Sequence, residues 1–199
     1  MNRRLAAVIG VLAFVALAGP MPAPTPVELD GAIAAMKGKP GEKRPLSAAR
    51  FYKEVLGGKT VDVYWSKAPS DAGPASVSAV EREMGTRGCK ALTGAELAAA
   101  SKLLVEFGTD LPPTLRAWTL GSEGKGDDAA ELFAQRVSDY AVTTLTCPSE
   151  HPSGSHQRVR DMSLGLECIK VFAPKRSTLK LELLLKRAEY CARTNTAVG

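Results

Sequence analysis

Aromatic side chains are scarce, 6% of 199 residues, and no stripe of basic residues interleaved with aromatics occurs. That lack removes the usual footprint of a nucleic-acid-binding surface. Cysteine is sparse as well: four residues are too few for a disulfide-dense mini-scaffold. None of their spacings is the CxxC of a metal site, which argues against structural zinc. No phosphate-binding loop, dinucleotide fingerprint or zinc-protease motif is present, so no cofactor is expected. The absence of a repeat of fixed period disfavours a solenoid. What the chain does have is 45% hydrophobic and 24% charged residues. That supplies one packed core in one domain and excludes wholesale disorder. The formal charge of +5 is a mild imbalance, 26 basic against 21 acidic residues in mixed order.

The first 18 residues, MNRRLAAVIGVLAFVALA, read as a secretory signal. Arg3 and Arg4 give a positive start, and Leu5 to Ala18 is an uncharged apolar run of 14 residues. Ala16-Leu17-Ala18 then offers small residues to a peptidase, with cleavage before Gly19. A helix of that length rises about 21 Å, short of a hydrocarbon core of roughly 30 Å, so an uncleaved anchor is the poorer reading. No cysteine follows the small residues, so lipid attachment there is unsupported. Removal of 1–18 takes away two arginines and no acid, and leaves no membrane span. The protein is therefore expected to be secreted or periplasmic.

Residues 19–45 are expected to be a flexible segment. Pro20, Pro22, Pro24 and Pro26 fall at every second position, a spacing that reads as an extended, polyproline-like spacer. Lys37 to Pro45 is rich in Gly, Pro and charge, a linker by composition. The single folded domain is then expected over 46–199, with Ser47 as the first N-cap and Leu46 and Phe51 at hydrophobic-staple spacing. Gly57-Gly58 ends that first helix. Residues 59–66 alternate Val61, Val63 and Trp65 with Asp62, Tyr64 and Ser66, a strand pattern without an obvious partner.

Beyond this the chain reads as helix after helix. Val77, Val80 and Met84 mark one, and Thr93 with Glu96 has the spacing of a capping box before Leu97, Ala100, Leu104 and Phe107. Leu115 and Trp118 follow Pro112-Pro113, and Phe133, Val137 and Tyr140 face one way behind Asp127 and Asp128. A loop is expected over CPSEHPSGSH, and then helices carrying Val159, Met162, Leu166 and Ile169, and Leu181, Leu184, Leu185 and Ala188. The expected fold class is all-α: a disulfide-linked bundle of five or six short amphipathic helices.

An even cysteine count behind a signal peptide implies two disulfides formed in an oxidising compartment. The last two helices form an antiparallel hairpin about Lys175. Running back 16 residues from that turn places Cys191 about 24 Å along, level with Cys147, while Cys168 lies only about 10 Å from the turn. That offset exceeds the reach of a disulfide. Cys147–Cys191 is therefore preferred, leaving Cys89–Cys168, with the other two pairings still open.

Sites are harder to find. His151 and His156, with Glu150 or Asp161, could form a metal site, though a polar surface loop explains them as well. Ser153 or Ser155 beside His156 lacks the nucleophile-elbow motif. Glu81 and Glu83 could be a carboxylate pair for glycoside cleavage, but helix residues two apart do not face each other, so the second acid would have to come from elsewhere in the fold. Tyr64, Trp65 and Trp118 could line a sugar- or peptide-binding groove, or simply be core. The reading that follows is an exported, non-enzymatic helical domain that binds a protein partner or an envelope component. The alternative is an exported hydrolase of cell-wall glycan type whose carboxylates meet only in the fold. Cleavage after Ala18 is checked by intact mass of the exported protein: the expected first residue is Gly19, and a product retaining Met1 would overturn it.

Overall fold

The strand expected near residue 60 finds its partner in the segment expected to be flexible. A computed structural model describes residues 23–64, 68–144 and 152–196. In it Thr25–Glu28 (β1) pairs antiparallel with Thr60–Val63 (β2), Val27 opposite Val61 and Pro26 opposite Asp62. Val61 and Val63 are buried while Thr60 and Asp62 are exposed, the alternation of a sheet with one dry face. Leu29–Met36 (α1) follows β1 directly. Its Leu29, Ala32 and Met36 pack with Val61, Val63, Ala49 and Ala72 in a small core of their own. Among the described residues, regular structure is thus present from Thr25, ahead of Leu46, with residues 25–36 in strand and helix. The apolar side chains at 27, 29, 32, 33 and 36 were enough to hold that segment once β2 supplied a backbone partner.

The rest is mostly helical, eight α-helices among the described residues. Lys43–Leu56 (α2) starts earlier than Ser47, because Pro45 fits the first turn, where its missing N–H is not needed. Ser47 is consequently no cap. It is buried inside α2, its Oγ lying 2.8 Å from the carbonyl oxygens of both Arg44 and Asp110. One hydroxyl proton can serve only one of them at a time. Gly57 does close the helix, at φ +72° with its N–H donating to Lys53.

After a 3-10 turn at Pro69–Asp71 come Ala72–Thr86 (α3) and Gly94–Phe107 (α4). Thr93 precedes α4, but its side chain makes no capping bond. Glu96 pairs instead with Arg87 at 3.0 Å, and Arg87 also holds Glu83 at 2.8 Å. The nearby cation outcompetes the backbone N–H for the carboxylate. Pro113–Ser122 (α5), Gly126–Thr144 (α6), Pro152–Phe172 (α7) and Leu179–Thr196 (α8) complete the chain, each packed on the one before. Helix α7 begins within the expected loop.

The main core gathers Phe51, Met84, Leu103, Leu115, Trp118, Phe133 and Ile169 from six helices. Trp118 is fully buried, its indole N–H donating to the Lys90 carbonyl at 2.9 Å. Inside this core Cys89 and Cys168 are joined by a disulfide, Cα to Cα 5.1 Å, tying the chain just beyond α3 to α7. The pair is 79 residues apart. On the chain-entropy view, closing that loop stabilises the fold by about 4 to 5 kcal/mol. Cys191 is disulfide-bonded too, and Cys147 lies outside the described residues. No helix among the described residues is long and apolar enough to cross a membrane. A disulfide-bonded domain of this kind is compatible with export.

Helices α2 and α3 approach so closely that Gly73 lies on Pro45: a Cβ at 73 would sit 2.3 Å from the Pro45 Cα. Backbone cannot yield as a side-chain tip can. Gly73→Ala should therefore destabilise the protein by roughly 1 to 3 kcal/mol despite alanine's better helix propensity. Urea unfolding checks it, and an unchanged or higher midpoint would contradict the packing.

Candidate functional site

One face of α3 carries Val77, Glu81 and, a turn further, Gly85. Helix spacing of this kind stacks their side chains along one line. That line forms a wall of a groove of about 940 Å³, closed on other sides by the starts of α2 and α5 and by one side of α6 and α7. Pro74, Pro112 and Pro113 give it stiff apolar walls, and the exposed Arg44, Arg82 and Arg160 stand among its lining residues.

Its floor is a charged cluster drawn from four helices. Arg136 of α6 meets Glu81 of α3 as an ion pair at 2.5 Å. The same guanidinium donates to Tyr140 Oη at 3.0 Å and to Thr114 Oγ1 of α5. It also lies over the Tyr140 ring, 5.3 Å from its centroid. Asp161 of α7 borders the same space and accepts a hydrogen bond from Gln157 Nε2 at 2.8 Å. Gln157 in turn accepts from Arg160 at 2.9 Å.

Both side chains of the ion pair are largely withdrawn from water, 11% exposed for Glu81 and 19% for Arg136. Glu81 Oε1 touches Arg136 without a well-aligned hydrogen bond. Burial therefore pushes the Glu81 carboxyl above its ordinary value. The Arg136 charge pulls it back only in part, and Asp161 pushes the same way as burial. Tyr140 is also raised, again first by burial, with Arg136 opposing and Asp161 adding. A carboxyl raised in this way gives up its proton less readily than an exposed glutamate. Here it is turned toward a cation at the bottom of the groove.

The structure separates the pair Glu81 and Glu83: Glu83 pairs with Arg87 instead. It brings Glu81 together with Asp161, two acids that the sequence offers only in unrelated contexts, 80 positions apart. The partner that matters most, Arg136, carries no motif at all, and only contact in the fold reveals it. His156 is exposed and sits on α7 rather than in a loop, as do Ser153 and Ser155, while His151 and Glu150 lie outside the described residues. No cluster of three metal-ligating side chains occurs among the described residues. Trp118 is fully buried in the core and does not line the groove, and its indole N–H donates to the Lys90 carbonyl. Tyr64 is 58% exposed at the end of β2, and Trp65 lies outside the described residues. Comparison with protein-family models, curated proteins and solved structures finds no match.

The direction of the Glu81 shift fixes a pH dependence. Between the ordinary 4.5 and the raised value, the folded protein keeps a proton that the unfolded chain has lost. Stability contributed by this group therefore falls as pH rises through that window. Glu81→Gln should flatten that part of a plot of melting temperature against pH. Parallel profiles for the variant and the parent would show that Glu81 is not the group responsible.

Proposed function

We propose that the protein is an exported, disulfide-braced helical domain that binds a protein partner or an envelope component in the groove between α3, α6 and α7. The observation that carries the reading is the groove itself: a concave surface with stiff apolar walls, a floor whose charges answer one another, and exposed arginines along it. Such a surface is built for recognition, since its most buried acid is engaged by Arg136 rather than presented to a ligand. Export rests on the signal-like residues 1–18, with cleavage after Ala18, and on the buried bridge. The second bridge belongs to the same proposal, as Cys147–Cys191. Nucleic acid is not the partner proposed, and no cofactor is invoked.

A hydrolase reading keeps one observation in its favour. Glu81, with its raised proton affinity, and Asp161 face the same space, as an acid and a second carboxylate do in glycoside cleavage. The two readings part on two variants. With the mature protein as bait against envelope extract, Arg44→Glu combined with Arg160→Glu should lose a partner that Glu81→Gln retains. Retention by the arginine variant would remove the groove from the proposal. Release of cell-wall fragments that disappears in a folded Glu81→Gln protein would establish the hydrolase instead.

A further inference from the structure

The two-stranded sheet has two outer edges, and they differ. Leu29 N–H donates to the Lys59 carbonyl at 2.9 Å, which extends the β1–β2 register by one pair. Hydrogen-bonded pairs in an antiparallel ladder recur every second residue. The pairs 27–61 and 25–63 are therefore bonded across the sheet, and Pro26, Glu28, Thr60 and Asp62 direct their backbone groups outward. On the β1 side, proline at 26 has no N–H to offer, so that edge is blunted. On the β2 side, Thr60 and Asp62 each present an N–H and a C=O.

A second groove, of about 500 Å³, runs along β2. Thr60 and Asp62 from one face of the strand line it, as do Val61 and Val63 from the other, and no residue of β1 does. Only the outer edge of β2 satisfies all three facts. The other wall is α3, through Ala75, Ser78 and Ala79. Ala75 and Ala79 are small and half-buried beside the core under the sheet, which leaves room above them. Asp71 lines the same groove, and its buried Oδ2 has no hydrogen-bond partner.

We propose that this edge is a docking site for an extended polypeptide segment of a partner, which adds beside β2 as a third strand. Main-chain hydrogen bonds to Thr60 and Asp62 supply the attraction, as in other strand additions. The side chains of the guest then follow the pleat. Those turned inward meet Ala75 and Ala79 and are apolar. Those turned outward lie beside Asp62, where a lysine or arginine is favoured as the cross-strand neighbour. The groove adjoins the one between α3, α6 and α7, sharing Pro74, Ser78 and Arg82 with it, but the proposal rests on the backbone edge of β2 and stands or falls separately.

A capped Thr-Val-Lys-Val-Thr peptide tests it against the oxidised protein, read by amide NMR shifts and hydrogen exchange. The expected result is shifts at Thr60 and Asp62 and about tenfold slower exchange of their amides at saturating peptide. The same peptide methylated at every backbone nitrogen should give neither. Asp62→Pro removes one outward N–H at a non-bonded pair, as Pro26 does opposite it, so it should fold normally and lose the response. Shifts confined to other residues, an equal response to the methylated peptide, or no response at millimolar peptide would overturn the proposal. So would slow exchange of Thr60 and Asp62 that grows with protein concentration alone, which would assign the edge to a second copy of the chain.

Discussion

With no Cβ on Gly73, the backbone of α3 rests on Pro45 of α2, and the position of α3 decides most of what the surface offers. Its alanine side lies under the sheet, its Val77–Glu81 line walls the larger groove, and its C-terminal end leads into the buried Cys89. A helix serving three environments at once has little freedom to move, because a shift toward one neighbour opens a gap at another. Close-packed interiors resist such shifts. The small residues along α3, from Ala72 and Gly73 to Ser76 and Ala79, are what let so many neighbours come near it.

The charged floor of the larger groove is a different kind of constraint. Arg136 distributes its donors over Glu81, Thr114 and Tyr140, which come from α3, α5 and α6. An arginine suits this because its planar fork addresses several acceptors at fixed angles. Breaking such a pair costs more than the pair contributes, since the survivor is left buried with its charge. The cluster therefore acts mainly as a register mark, tolerating only one arrangement of α3 against α6.

Much of the helical architecture was legible, because the periods of Leu97–Phe107, Phe133–Tyr140 and Leu181–Ala188 are governed by burial on one side, which local sequence records. The sheet was not. Prolines at every second position look like a polyproline spacer, yet in a strand the same spacing puts every missing N–H on a single edge. Pro24 and Pro26 fit either description, and the choice rests on a partner strand more than 30 residues away. Ser47 misled for a related reason: its side chain lies between the carbonyls of Arg44 and Asp110, and the second is beyond any local window. The site was the least legible part. Glu81, Arg136 and Asp161 lie on three helices, and a charge in sequence gives no sign of whether it will be solvated or enclosed.

The bridge between Cys89 and Cys168 also makes the molecule mechanically unequal along its length. It closes a covalent ring that contains α4, α5 and α6 entirely. Tension applied to the two ends passes through the sulfur atoms and bypasses those helices. The outer elements β1 and α1 can peel away under load, while the ring withholds roughly 260 to 280 Å of chain from extension until a reductant opens it. A cut in the peptide backbone inside the ring would likewise leave the two ends joined. The oxidised domain thus has a covalently protected middle.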